Sequence, residues 1–205
     1  MKLAWGAKVS PEFVQIVLSI CKRFNWPGEY ASWLMACMAF ETADTFGTRR
    51  WSRRSTATGL IGFMRTTALG LGTSVEELAT MTPEQQLKYV ELYYCRHYKK
   101  IKTLADMYMA IFAPPAIGRD DEYKLYVSAD GDAYRLNKAL DRDGDGDISK
   151  IEAAQFVVTR LSRGLEPGNV LEVPWGDRTT ELLAGIDKIK VDLAALERIA
   201  MSTGV

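Results

Sequence analysis

The chain has 205 residues, and its 26 lysines and arginines are balanced by 26 aspartates and glutamates, so the formal net charge is zero. That length fills one hydrophobic core, or one main domain with a short appendage, and leaves too little material for two full domains. Zero net charge offers no global field to nucleic acid or anionic lipid, and a chain that is 47% apolar and 25% charged is not a wholly disordered one.

Ser10 before Pro11 is a helix start, and Phe13, Val14, Ile16, Val17, Ile20, Cys21 and Phe24 recur at helical spacing. Pro27-Gly28 interrupts the pattern, and a second helix is predicted over about 29–43. Its Leu34, Cys37, Met38 and Glu41 fall near one face, which places a carboxylate at the end of an apolar stripe. Residues 44–73 are irregular and contain the run RRWSRR at 49–54, a pattern expected of a flexible connection or a working loop. Ser74 with Glu77, and Thr82-Pro83 with Gln85, are two capping boxes that predict a short helix and then a longer one over about 83–99. An apolar segment from Leu104 to Phe112 is stopped by Pro114-Pro115.

Gly164, Pro167, Gly168, Pro174 and Gly176 mark a linker. Beyond it Leu182, Ile186, Ile189, Leu193, Leu196 and Ala200 predict a C-terminal helix that packs back on the domain or docks a partner. No solenoid repeat and no sustained strand alternation interrupts this pattern, so the expected fold is mainly α.

Cys21, Cys37 and Cys95 have no metal-ligand spacing, and Cys21 and Cys37 read as small buried hydrophobes. A single histidine, His97, argues against zinc and Ser-His-Asp chemistry. Trp5, Gly6 and Lys8 interrupt any signal-peptide apolar region, and the richest stretch, ASWLMACMAF at 31–40, is too short to span a bilayer. The expectation is a chain without a membrane span, made in a cytoplasm and exported only by something outside this sequence.

Residues 141–152, DRDGDGDISKIE, match the twelve-position EF-hand calcium loop throughout. Asp141, Asp143 and Asp145 occupy positions 1, 3 and 5, and Gly146 allows the sharp turn at position 6. Asp147 offers its backbone carbonyl, Ser149 stands where a bridging water is held, and Glu152 closes the site as a bidentate carboxylate. Carboxylates at this alternation repel one another unless a cation neutralises them, so one structural Ca2+ is expected. The entering helix should end around Leu140 and the leaving one begin near Ser149. No second loop of this kind occurs, which favours a staple between two helices over a sensor.

Glu41 follows MACMAF, so desolvation should raise its pKa and keep it protonated near neutral pH, as a general acid for glycosidic cleavage requires. The bland alternative is a helix-end glutamate paired with Arg49, Arg50, Arg53 or Arg54. The surrounding pattern is longer: Glu41-Thr42, then Ser55, then residues 58–68 reading TGLIGFMRTTA, followed by Leu69-Gly70. It resembles the lysozyme-like lytic transglycosylases, whose pattern is Glu followed by Ser or Thr, a loop Ser, then Gly-Leu-Met-Gln-Phe-Met-Pro-x-Thr-Ala.

The resemblance covers about residues 10–160 and implies a lysozyme-like helical domain over residues 1–164, with the EF-hand loop inside it and residues 165–205 as linker and C-terminal helix. It implies Glu41 as catalytic acid, Ser55 as its supporting serine, and Thr58, Phe63 and Met64 as substrate-binding candidates in the cleft. Gly62 stands where the family usually has Gln, and Arg65 where Pro is common. The family's later Tyr-Asn-Ala-Gly is absent; Tyr134 with Asn137 is its nearest analogue and Tyr108 a rival, with a core-to-surface anchor the alternative for both tyrosines.

The implied activity is cleavage of the MurNAc-GlcNAc β-1,4 bond of bacterial peptidoglycan with formation of 1,6-anhydromuramoyl ends, in the manner of a phage endolysin or virion-associated enzyme. A hydrolytic lysozyme stays open, although it would want a second carboxylate across the cleft; Asp44, three residues from Glu41 and on nearly the same helix face, has poor geometry for this, and Asp120, Asp121 and Glu122 could instead approach from a later loop. So does a noncatalytic, calcium-stapled wall-binding or virion structural protein.

Overall fold

Caps written into the sequence set where the helices of the computed structural model begin. The structure describes residues 1–49 and 57–176; Ser55, the arginines at 50, 53 and 54, and the predicted C-terminal helix lie outside the described residues. Lys2–Glu172 form one compact unit, and Met1 and Val173 belong to a second. In the latter the Met1 ammonium donates to the Val173 carbonyl at 2.6 Å, and the Val173 N–H donates back to the Met1 carbonyl at 2.9 Å.

The larger unit runs β1 (Lys2–Leu3), α1 (Pro11–Arg23), α2 (Glu29–Glu41), α3 (Arg65–Gly70), α4 (Val75–Thr80), α5 (Pro83–Tyr94), α6 (Leu104–Phe112), β2 (Lys124–Val127), α7 (Asp132–Asn137), β3 (Asp147–Ser149), α8 (Lys150–Gly164) and β4 (Leu171–Glu172). It is mainly helical, as expected. Among the described residues the named strands form two antiparallel pairs, β1 with β4 and β2 with β3.

Ser10 accepts from the Phe13 N–H at the start of α1, and both predicted capping boxes form on α4 and α5. Thr103 caps α6 through the Asp106 N–H, and Ser149 caps α8 in a third box with Glu152. Helix α2 is apolar nearly all round, the mark of a helix enclosed by its neighbours, and Leu34, Met35, Ala36, Cys37 and Met38 are fully buried. Helix α8 packs on both α2 and α6.

Three boundaries differ from the sequence expectation. Helix α2 ends at Glu41, because Ala43 and Asp44 turn left-handed at φ 48° and 68°. Helix α5 ends at Tyr94, and short-range turns carry the chain on to Lys100. The irregular stretch after residue 57 contains a four-residue turn between Thr58 and Phe63, then the unanticipated α3.

A buried ion pair joins the start of α8 to α6: Lys150 Nζ lies 2.6 Å from Asp106 Oδ1, with both side chains almost wholly enclosed. Lys150 also donates to the Arg119 carbonyl at 2.6 Å. Burial opposes the Asp106 charge. The bonds from Lys150 and from the Gly118 and Lys102 N–H groups outweigh it and hold the carboxyl below its usual range.

Candidate active site

Helix α2 delivers Glu41 from an apolar interior to the edge of a cavity of about 590 Å³, lined by Glu41, Thr45, Thr48, Arg49, Gly59 and Gly62 among others. Burial pushes the Glu41 carboxyl up from 4.5 to about 7. Among the described residues it makes no ion pair, so the predicted alternative of a partner at Arg49 is not realised there.

The turn after Glu41 is strained and firmly held. Ala43, Asp44 and Phe46 all have positive φ, a sparsely populated state for residues with a Cβ. Thr42 Oγ1 donates to the Met38 carbonyl at 2.7 Å and accepts from the Phe46 N–H at 3.0 Å. The Phe46 ring is buried edge-on to Trp5 and Phe13. Asp44, considered as a second cleft carboxylate, instead pairs with Arg160 at 2.7 Å and Arg163 at 2.8 Å, both on α8.

The opposite wall is the turn at residues 58–63. Thr58 and Phe63 exchange backbone bonds of 3.1 and 2.8 Å, and Gly62 N–H closes on the Gly59 carbonyl at 3.1 Å. Gly62 has φ +61°, and a Cβ built on it would lie 2.7 Å from Glu41 Oε2. A glutamine, the residue usual in the resembled family, has no room here. The turn therefore meets the carboxyl with bare backbone.

The other predicted substrate residues fall in different places. Thr58 lines the cavity, while Phe63 is buried edge-on to Tyr93, and Met64 is half exposed; neither Phe63 nor Met64 lines it. Tyr108 is buried, edge-on to Phe40 and stacked on Phe112, with its hydroxyl pKa raised by burial and then by the Glu41 charge. Tyr93 and Tyr94 feel the same charge after burial, and their hydroxyls donate to the Ala110 and Met107 carbonyls. Neither was singled out in the sequence, although both lie in the well-signalled α5. Asp120, Asp121 and Glu122 are exposed and do not line the cavity.

Tyr134 lies on α7 and faces the acidic loop. Its hydroxyl donates to Asp141 Oδ2 at 2.5 Å, while the Asn137 amide donates to the Ala133 carbonyl at 2.9 Å within α7. The carboxylates of Asp141, Asp143 and Asp145 converge so that one oxygen of each lies within 4.8 Å of the others, a group able to coordinate a metal ion. Asp141 accepts from the Gly144 and Gly146 N–H groups at 2.7 and 3.2 Å, and Gly146 makes the turn at φ +92°. Position 7 is in β3, whose Asp147 side chain pairs with Lys124 of β2. Glu152 accepts from the Arg142 N–H at 2.9 Å and from the Ser149 N–H and hydroxyl at 2.8 and 2.7 Å, tying the loop's last position to its second.

Cys21 and Cys37 are buried and Cys95 is exposed, all three as free thiols. No described helix is long and apolar enough to cross a membrane. No protein-family model matches the chain, and no curated protein matches it either.

Proposed function

We propose that the chain is a lysozyme-like peptidoglycan lytic transglycosylase in which Glu41 is the sole catalytic carboxyl. The observation that carries this reading is a carboxyl raised to about 7 by burial, at the edge of a cavity whose described lining includes no second carboxylate. Residues 50–56, RWSRRST, contain no acid either. Among the described lining residues a hydrolase of the usual two-carboxylate kind lacks its second group, whereas sequential proton transfers need only one.

In the proposed reaction protonated Glu41 donates to the oxygen linking MurNAc to GlcNAc, and that bond breaks as an oxocarbenium-like centre develops at C1. The Glu41 carboxylate then takes the proton of the muramoyl C6 hydroxyl. O6 attacks C1, which closes a 1,6-anhydro ring and returns Glu41 to its acid form with no water consumed. The cavity holds the glycan, Arg49 and the threonines at 45, 48 and 58 supply its polar lining, and the target is the bacterial cell wall.

The acidic loop completes the proposal as a site for one structural Ca2+. The convergent carboxylates of Asp141, Asp143 and Asp145 and the turn at Gly146 fit the ion's preference for oxygen ligands, and the Asp147 carbonyl and the Glu152 carboxylate, which here accepts from Arg142 and Ser149, would complete the set. There it would fasten the segment after α7 to the first turn of α8.

The test is mass spectrometry of soluble fragments released from purified peptidoglycan, with Glu41→Gln as the paired control. The expected result is anhydro-ended muropeptides from the unaltered chain and none from the variant. Reducing-end fragments would move the assignment to a hydrolytic lysozyme, and absence of release from several wall types would remove the enzymatic reading.

A further inference from the structure

Gln86 lies in α5, and its side chain is wholly buried. Its Oε1 accepts from the Leu60 N–H at 2.9 Å, and its Nε2 donates to the Leu78 carbonyl at 2.6 Å and the Thr48 carbonyl at 3.3 Å. One amide thus satisfies backbone groups from three segments, two of which border the Glu41 cavity. Gly59 lies so close that a Cβ there would be 2.3 Å from Gln86 Oε1, and at the far end of the same turn a Cβ on Gly62 would be 2.7 Å from Glu41 Oε2. The turn is therefore held between a buried amide on one side and the carboxyl on the other.

We propose that Gln86 is a positioning residue for Glu41, fixing through the turn at 59–62 and the Thr48 carbonyl the width of the cleft and the exclusion of water from the carboxyl. Only an amide supplies one acceptor and two donors in this planar arrangement. A carboxylate would face two carbonyls with oxygen, and an apolar chain would leave three buried backbone groups unpaired. The inference rests on the proposed role of Glu41. Among the described residues the other titratable or charged groups around that carboxyl are Cys37 on α2, Tyr93 and Tyr94 on α5, Tyr108 on α6 and Arg49 at the cavity, and a change at 86 substitutes none of them.

The experiment is a pH titration of the Glu41 carboxyl by carbon NMR in the full chain, its signal assigned by loss in Glu41→Gln. The unaltered chain is compared with Gln86→Met, which keeps the volume and removes all three bonds. Ser74→Ala, which removes the cap of α4, serves as a control for general destabilisation. The expected midpoint is unchanged in the control and lower by at least about one pH unit in Gln86→Met, as water reaches the carboxyl. On soluble glycan strands the Gln86→Met turnover number should fall at least about tenfold with KM little changed, the mark of a displaced acid.

Should Gln86→Met not fold, Gln86→Asn keeps an uncharged amide but draws it back by one methylene from the Leu60, Leu78 and Thr48 groups, and should move the midpoint the same way. A midpoint that stays with that of the unaltered chain overturns the assignment, as does full turnover in a folded Gln86→Met. The titration needs no turnover, so a chain that releases no glycan fragments removes the proposed activity while the positioning result is still read.

Discussion

Glu41 makes the stability of the fold depend on pH in a direction opposite to that of most carboxylates. Its carboxyl titrates at about 7 in the fold against an ordinary 4.5, so its contribution is intact below about pH 4.5 and is lost as pH rises through about 7. At about 1.4 kcal/mol per pH unit the loss above that range is about 3 kcal/mol. Glu41→Gln removes the ionisation, so urea unfolding at pH 8 should find the variant more stable by about that amount, and at pH 4 the two should coincide. A variant no more stable at pH 8 would contradict the buried setting. The proposed activity runs in parallel, declining as pH climbs through about 7 and the acid form disappears. Glu41 was legible in the sequence because an apolar run precedes it. Gly62 was legible only as a departure, a missing polar contact, since its reason is a steric one across the cleft. Gln86 left a fainter mark: it shares a helical face with the buried Val90 and Tyr94, where a polar residue calls for partners.

At the scale of elements, helix starts were the most legible feature. Ser10, Ser74 and Thr82 each announce a helix through a local hydrogen bond that needs no distant partner. The end of α2 was not, because left-handed Ala43 and Asp44 are held by Phe46 and by arginines from a remote helix. Helix α3 is too short to show a period, and β2 and β3 gain their identity only by pairing with each other. The acidic loop was the clearest local pattern, and its boundary with α8 falls at Ser149, as the spacing predicted. Its strand pairs with β2, so a single loop has a partner without a second one. If the loop holds calcium, the melting temperature should rise with added calcium, with stabilisation of about 2.7 kcal/mol at a hundredfold excess over Kd. In Glu152→Gln the rise should shrink or vanish. A melting curve indifferent to calcium in the unaltered chain would end the staple proposal.

Across the larger unit, α8 is the member on which distant parts depend. About 22 Å long at 1.5 Å per residue, it starts in the acidic loop and meets α6 through Lys150 and Asp106. Nearer its other end, Arg160 and Arg163 clamp Asp44. Lys150→Met would leave the Asp106 carboxylate buried with two backbone donors and no cation. Loss of one partner from such a pair costs about 3–5 kcal/mol, to be read as a lower midpoint in denaturant unfolding at pH 7. No local sequence signal pairs residues 106 and 150, or 44 and 163, because such contacts are products of packing. The clamp on Asp44 also imposes a schedule on biosynthesis. Arg163 follows Asp44 by 119 residues, so at about 5–20 residues per second the ribosome needs roughly 6–24 s to supply it. Throughout that interval the nascent chain carries Glu41 without the restraint that Arg160 and Arg163 place on Asp44. A premature stop codon just upstream of α8 is therefore expected to be as disabling as one near the start of the reading frame.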